Sequence, residues 1–168
     1  MSREDRCASP RLEMRGIDKA FPGVRALDGV SFDCRAGEVH VICGENGAGK
    51  STLIKVLGGI HAPDAGTVLI DGRPVRFAHP LDAREAGIGI IHQELSLLPD
   101  RTVAENLFLG REPTRYGLLD RAAMRRGARE LLARLASPID PDRPCGRLSV
   151  HEMQTVEIAK ALGLAARI

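Results

Sequence analysis

The sequence predicts an α/β fold in which a buried strand, a glycine-rich loop and a helix follow one another directly. The strand is predicted for residues 38–43, a mostly apolar run with three β-branched residues. The loop is 44–52, GENGAGKST, which fits the pattern G-x-x-x-x-G-K-[ST]. The helix is predicted for 51–57 and ends before Gly58 and Gly59. This order of elements places a phosphate-binding loop at the centre of the fold.

The residue types in this loop suit a nucleotide phosphate. Glycines at 44, 47 and 49 let the backbone turn tightly and approach a phosphate without an intervening side chain. Lys50 can reach the β- and γ-phosphates, and the Ser51 hydroxyl is placed to ligate Mg²⁺. A glycine-rich turn that binds nothing is the alternative, which the flanking strand and helix disfavour. The residues predicted to contact ATP and Mg²⁺ here are Gly44, Glu45, Asn46, Gly47, Ala48, Gly49, Lys50, Ser51 and Thr52.

Composition limits the classes of protein that the chain can represent. Its 168 residues suffice for one ordinary domain, and 24 basic against 22 acidic residues leave a net charge of +2. This small charge does not indicate nucleic acid or an anionic membrane as a partner.

The four cysteines are scattered, so we expect them to be reduced. No apolar run approaches the length of a membrane span and the first ten residues are polar, so we expect a cytosolic location without a signal peptide.

The other strands are predicted from alternation and from turn residues. Antiparallel strands are predicted at 12–17 and 26–32, with the turn Phe21-Pro22-Gly23 between them. An Asp-Gly turn predicts a hairpin within 66–77. The β-branched run 88–91 predicts a second buried strand of a parallel core sheet.

The second part of the chain is predicted to be helical. A capping box, Thr102-x-x-Glu105, starts one helix, and an apolar face supports a longer one. We therefore divide the chain into a β subdomain with the phosphate-binding core at 1–101 and a helical subdomain at 102–168. The predicted helices after the one at the glycine loop are 81–86, 102–110, 120–136 and 155–162.

Residues 18–28, together with the loop 44–52, resemble the start of the ATP-binding cassette of ABC transporters, in particular the monosaccharide-import type. The resemblance implies that Phe21 stacks on adenine, and that Gln93 contacts Mg²⁺ and the attacking water and links the site to a membrane subunit. It also implies that the helices after Gln93 dock on the permease. The local sequence leaves open that Phe21 fills the hairpin core and that Gln93 is a solvated loop residue.

A second stretch, Leu148-Ser149-Val150-His151-Glu152, occupies the place of the family's signature Leu-Ser-Gly-Gly-Gln. The first two residues match, whereas valine and histidine replace the glycines and glutamate replaces the glutamine. The resemblance implies that Ser149, Val150, His151 and Glu152 clamp the γ-phosphate of ATP held by the opposite cassette. Ser149-x-x-Glu152 is also a capping box, in which the glutamate bonds the serine amide. We hypothesise that this half-site binds γ-phosphate weakly.

The resemblance implies an incomplete P-loop NTPase fold of ABC type that serves sugar import with ATP and Mg²⁺. The implied partners are permease subunits, a second cassette and, indirectly, a periplasmic sugar-binding protein, with the chain on the inner face of the cell membrane. The chain ends before the strand that carries the family's magnesium-associated aspartate and catalytic glutamate, so it contains no catalytic residue of this set. We expect it to bind ATP weakly and not to hydrolyse it measurably.

Three alternatives remain for the function. The motifs do not encode the cargo, so an ABC cassette for another substrate is one. A non-catalytic nucleotide-binding or interaction fragment is the second, because of the missing carboxylates and the altered signature. A P-loop small-molecule kinase is disfavoured, since it would not need the stretch 148–162.

Overall fold

The computed structural model describes residues 9–91, 95–164 and 166–168. The chain forms two compact units, one that extends to residue 88 and includes 167–168, and one that comprises 89–166. The subdomain boundary suggested between 101 and 102 stays a prediction. Cys34, Cys43 and Cys145 are free thiols, as expected for reduced cysteines, and Cys7 lies outside the described residues. None of the described helices is long and apolar enough to cross a bilayer.

The first unit contains a four-stranded antiparallel sheet of β1 Leu12–Phe21, β2 Val24–Cys34, β3 Ala65–Ile70 and β4 Arg73–Val75. The strands lie in the order β2-β1-β3-β4. The central strand β1 buries Leu12, Met14 and Ile17, which alternate with more exposed residues as a strand with one core face requires. Both predicted hairpins are confirmed, and Asp71 and Gly72 have φ values of 48° and 75°, the pair that a tight hairpin turn needs.

Two helices of this unit agree with prediction. Helix α1, Lys50–Leu57, begins at the glycine loop and buries Leu53, Val56 and Leu57 on one face. Helix α2, Pro80–Glu85, starts at a capping box made by His79 and Asp82. The first and last residues of both helices lie within one residue of those predicted from the sequence.

The predicted buried strands at 38–43 and 88–91 are wrong for this structure, because neither segment is a strand. Val39 and Val41 are 89% and 71% exposed, and Ile91 is 51% exposed, although Ile88 is buried. A strand forms only where another strand supplies backbone hydrogen bonds. Within the described residues no strand runs beside either segment, and no parallel pair is formed. The predicted parallel core sheet is therefore not assembled by the residues that the structure describes.

The second unit packs three helices around one apolar core. Helices α3, Val103–Leu107, and α4, Arg121–Arg134, match the predicted segments closely, whereas α5, Val150–Gly163, starts five residues before the predicted 155 because its capping box lies at Ser149. A small hairpin, β5 Thr114–Arg115 and β6 Leu118–Leu119, was not predicted, since its strands are only two residues long. The core consists of Val103, Ala104, Leu107, Met124, Ala128, Leu132, Ile139, Cys145, Leu148, Val156 and Ala159.

Candidate functional site

The glycine loop leads into α1 through backbone conformations that favour glycine. Gly47 and Gly49 have φ values of 88° and 82°, in the left-handed region. Gly49 precedes the first helical residue, and no side chain caps this end of α1. The N–H groups of the first turn therefore lack a side-chain acceptor, and the positive end of the helix dipole points toward the loop. This arrangement suits an anion such as a phosphate.

The Lys50 side chain folds back over the loop. Its Nζ donates to the carbonyl oxygens of Gly44 and Glu45, each at 2.7 Å. An ammonium group has three donors, so one remains for an acceptor outside the loop. Ser51 is exposed and follows Lys50 in the same turn, so its hydroxyl is accessible from solvent. The side chains that the motif assigns to phosphate and Mg²⁺ thus stand together at the start of α1.

We expect Gly49→Ala to destabilise the first unit much more than Gly47→Ala. A Cβ at Gly49 would lie 2.4 Å from the Ala26 carbonyl oxygen and 3.0 Å from Leu27 Cδ2, whereas a Cβ at Gly47 would have no heavy atom within 4 Å. Both substitutions strain a left-handed backbone at about 1 kcal/mol, and the overlap at Gly49 adds about 2 kcal/mol or more. Urea unfolding measures the difference. Equal losses in the two variants would contradict the close packing at Gly49.

Phe21 ends β1 and is 37% exposed, so it does not fill the hairpin core. The His61 ring meets it edge-on with centroids 5.2 Å apart. Asp64 fixes the adjacent backbone, because its Oδ2 accepts from the Ala20 amide at 2.7 Å and its Oδ1 accepts from Lys19 Nζ at 2.7 Å. The Lys19 ammonium, followed by the Ala20 amide, holds the pKa of Asp64 below its usual range. The contact between Phe21 and adenine stays a prediction.

Gln93 lies outside the described residues.

At the signature stretch, the capping box is formed with both of its bonds. The Ser149 hydroxyl accepts from the Glu152 amide at 3.3 Å, and Glu152 Oε2 accepts from the Ser149 amide at 2.7 Å. Arg143 Nη1 donates to the other carboxylate oxygen at 2.6 Å. Glu152 therefore bonds to the helix cap and to an arginine, while Val150 is 65% exposed and His151 is also exposed. This use of the carboxylate reduces the repulsion that an unpaired Glu152 would exert on a phosphate.

We expect Glu152→Gln to lower the melting temperature at neutral pH but not in acid. The Ser149 amide, followed by the Ser149 side chain and Arg143, holds the pKa of Glu152 below its ordinary value. A carboxylate whose pKa is lowered by folding stabilises the fold above its unfolded pKa and loses that contribution as the pH falls through the folded pKa. The difference between wild type and variant should therefore be present at about pH 7 and should shrink progressively as the pH falls below the ordinary pKa of glutamate.

Thermal melts across this range measure the effect, and Glu130→Gln is the control, because Glu130 is an exposed glutamate of α4. A difference between wild type and Glu152→Gln that is independent of pH would contradict the role of the ionised carboxylate.

Two buried polar residues were missed from the sequence. Asn106 is 0% exposed and Glu157 is 9% exposed, and both belong to helices of the second unit. Each interrupts the apolar face of its helix, which is the one signal in the sequence that could have identified it. Both bond to the backbone of residues 96–102.

The comparisons with known proteins agree with this geometry. The family model described as ABC transporter matches residues 27–168. The ribose import ATP-binding protein RbsA 1 of Rubrobacter xylanophilus is 59% identical over 159 residues, and the match covers 95% of this chain and 32% of that protein. The arabinose import ATP-binding protein AraG 1 of Burkholderia cenocepacia is 56% identical over 160 residues, and the match covers 95% of this chain and 32% of that protein. The chain thus spans about a third of the length of these curated relatives.

Solved structures give the same assignment. The crystal structure of a nucleotide-free ATP-binding cassette from an ABC transporter aligns with a TM-score of 0.80 and 31% identity over 94% of this chain and 66% of that one. A cbiO1 structure from Clostridium perfringens, part of the ABC transporter complex cbiONQ, aligns with a TM-score of 0.79 and 28% identity. The alignment covers 94% of this chain and 62% of that chain. With its family match over residues 27–168 and this fold, the chain belongs to the ABC transporter family and is part of an ATP-binding cassette.

Proposed function

We propose that the chain is the nucleotide-binding part of a cassette that, in the complete protein, couples ATP hydrolysis to sugar import. The observation that carries the proposal is the glycine loop before α1, with Lys50 held against its carbonyl oxygens and the helix end left uncapped. The names of the relatives support sugar as the cargo class, because those at 59% and 56% identity are ribose and arabinose import proteins. Another cargo remains the alternative.

The proposed ligand is ATP with Mg²⁺. The loop fits a phosphate, because a Cβ at Gly47 would meet open space and the first turn of α1 has no side-chain cap. Ser51 and Gln93 are the proposed residues for Mg²⁺, and Phe21 is the proposed platform for adenine. When bound, the metal ion would neutralise charge on the β- and γ-phosphate oxygens. Lys50 would keep its positive charge beside the same oxygens.

The proposed partners are those of an import cassette. They are membrane permease subunits, a second cassette whose ATP would face the signature residues Ser149, Val150, His151 and Glu152, and indirectly a periplasmic sugar-binding protein. The proposed location is the cytoplasmic face of the cell membrane.

Equilibrium binding of ATP to the purified chain, with and without Mg²⁺, tests the proposal. We expect saturable binding that strengthens when Mg²⁺ is present, and no measurable steady turnover of ATP by this chain alone. ADP serves as a competitor that shares the β-phosphate, whereas free ribose serves as a negative control because the loop offers nothing to a neutral sugar. A folded chain that binds no ATP at millimolar concentration would contradict the proposal.

A further inference from the structure

The aromatic ring at the tip of the first hairpin lies at the margin of the apolar core. Phe21 is the last residue of β1 and is 37% exposed, and Val24, its partner across the hairpin turn, is 63% exposed. The ladder between β1 and β3 has its last pair at Asp18 and Ala65, three residues before the ring. A side chain with so little packing keeps one orientation only where other contacts fix its backbone and its ring.

One carboxylate, that of Asp64, bonds the three residues that precede this ring. Its Oδ1 accepts from Lys19 Nζ and its Oδ2 accepts from the Ala20 amide, each at 2.7 Å. The Asp64 amide donates to the Asp18 carbonyl oxygen at 2.9 Å. Asp64 directly precedes β3, so these bonds carry the attachment of β1 past the last backbone pair of the ladder. The backbone that leads into Phe21 is therefore held by a side chain.

Both polar neighbours of the ring also depend on Asp64. The ammonium of Lys19, which Asp64 binds, lies 5.8 Å from the Phe21 ring centroid. The His61 ring meets Phe21 edge-on at 5.2 Å and precedes Asp64 by three positions. The His61 amide donates to the Lys55 carbonyl oxygen at 3.2 Å, so this short segment joins the end of α1 to the end of β1. Asp64 fastens that segment to the strand.

We propose that Asp64 is a positioning residue that holds Phe21 as the platform for the base of ATP, and that it thereby sets the share of nucleotide affinity that comes from the base. This inference rests on the proposed function, because it requires ATP to bind with its base on Phe21. Stacking depends on the placement of the ring, so a ring that is free to turn loses contact with the base. The phosphates would meet the glycine loop and Lys50, so a change at Asp64 should leave their share of the affinity unaltered.

The test compares two ligands by isothermal titration calorimetry of the 168-residue chain in the presence of Mg²⁺. ATP carries the base, whereas inorganic triphosphate offers a triphosphate chain without base or ribose. The ratio of the two dissociation constants reports the contribution of the nucleoside. A residue that supports only the fold would change both constants, whereas a residue that positions the platform would change the constant for ATP alone.

The variants separate the bonds of Asp64 from its charge. Asp64→Ala removes both side-chain bonds, whereas Asp64→Asn retains one oxygen that can accept from the Ala20 amide but loses the ion pair with Lys19. Phe21→Ala removes the platform itself and is combined with each Asp64 variant. Asp33→Ala is the matched control, because Asp33 is an exposed aspartate at the opposite end of the same hairpin.

The Asp64 side chain is 48% exposed, and a pair so accessible to solvent contributes little to stability, so Asp64→Ala should fold. Circular dichroism and thermal melts check each variant. If Asp64→Ala does not fold, Asp64→Asn supplies the same comparison with and without Phe21→Ala.

In wild type, we expect ATP to bind about tenfold more tightly than triphosphate, as stacking of one base on an aromatic ring allows. Phe21→Ala should lose most of this advantage, Asp64→Ala about fivefold of it and Asp64→Asn about threefold. Each change at Asp64 should have little further effect once Phe21 is alanine, because residues that act through one another are not additive. The affinity for triphosphate should stay within about twofold in every variant, and Asp33→Ala should match wild type.

The outcomes separate the inference from the proposed function. Equal losses for ATP and triphosphate in the Asp64 variants would mean a merely structural residue and would overturn the inference. Additive losses in the double variants, or an unchanged ATP affinity in Phe21→Ala, would also overturn it while leaving ATP binding intact. Folded wild-type chain that binds neither ligand would overturn the proposed function and the inference together.

Discussion

Replacing Lys50 with alanine is expected to weaken binding of ATP with Mg²⁺ by about 100-fold, because a charge-assisted hydrogen bond to phosphate contributes about 3 kcal/mol. The Lys50 ammonium stands at the glycine loop, where it donates to the Gly44 and Glu45 carbonyl oxygens at 2.7 Å. Alanine removes the one cation that the motif places beside the phosphates and leaves the helix N-terminus unchanged. Isothermal titration calorimetry measures the change in affinity.

Lys55→Ala is the matched control, since Lys55 is an exposed lysine in the last turn of the same helix. It removes one positive charge from α1 without touching the loop, so its affinity for ATP should stay near that of wild type. Thermal melts should show that both variants remain folded. A similar loss of affinity in both variants would mean that the net charge of the helix, rather than the position of Lys50, determines binding.

Asn106→Ala is expected to lower the free energy of unfolding of the second unit by about 3 kcal/mol, the largest effect on stability that we expect outside the glycine loop. Asn106 is fully buried; its Oδ1 accepts from the Leu98 amide at 2.7 Å, and its Nδ2 donates to the Leu98 carbonyl at 3.0 Å. The same Nδ2 lies 3.1 Å from the Thr102 carbonyl oxygen. Alanine would leave these backbone groups without their partner and would leave a cavity in the core.

Urea unfolding measures this loss, and Gln154→Ala provides the control, because Gln154 is an exposed amide residue of α5. Its change in unfolding free energy should stay within about 0.5 kcal/mol. Alkylation of Cys145 gives a second measurement: the thiol is 1% exposed, burial raises its pKa to about 11, and Asn106 Nδ2 lies 3.2 Å from its sulfur. Cys145 should react faster in Asn106→Ala than in wild type. An unchanged free energy of unfolding in Asn106→Ala would contradict the anchoring role of Asn106.

Features that depend on neighbouring residues in the chain could be predicted from the sequence. The Asp71-Gly72 turn, the capping boxes at Thr102 and Ser149, and the helix after the glycine loop all appear where their residue types require them. Each depends on side chains and backbone groups within about four residues, so the information is present in a short window. The candidate site at 44–52 belongs to this class, and its chemistry could be argued before any coordinates.

Features that depend on distant partners could not be predicted. The β-branched runs at 38–43 and 88–91 indicate a preference for burial, but they do not specify which strand lies alongside. Asn106 and Glu157 interrupt the apolar faces of their helices, but the sequence does not show that they bond to Leu98 and Ser96. Hydrophobic periodicity shows which face of a helix is buried, but it does not show which distant residues contact that face. Short-range patterns therefore cannot predict these bonds.

The sequence by itself therefore determined the phosphate-binding loop, the two hairpins of the first unit, the starts of α1 to α4 and the resemblance to the ABC family, because all of these are set by local residue order. The tertiary structure alone decided that the two β-branched runs remain unpaired within the described residues, and that Arg143 also donates to the Glu152 carboxylate. It also decided that Glu157 holds Ser96 across 61 positions. The physical reason is that a hydrogen-bond acceptor or an unpaired strand edge bonds to whichever group the fold brings within about 3 Å. The neighbouring residues in the sequence do not show which group that is.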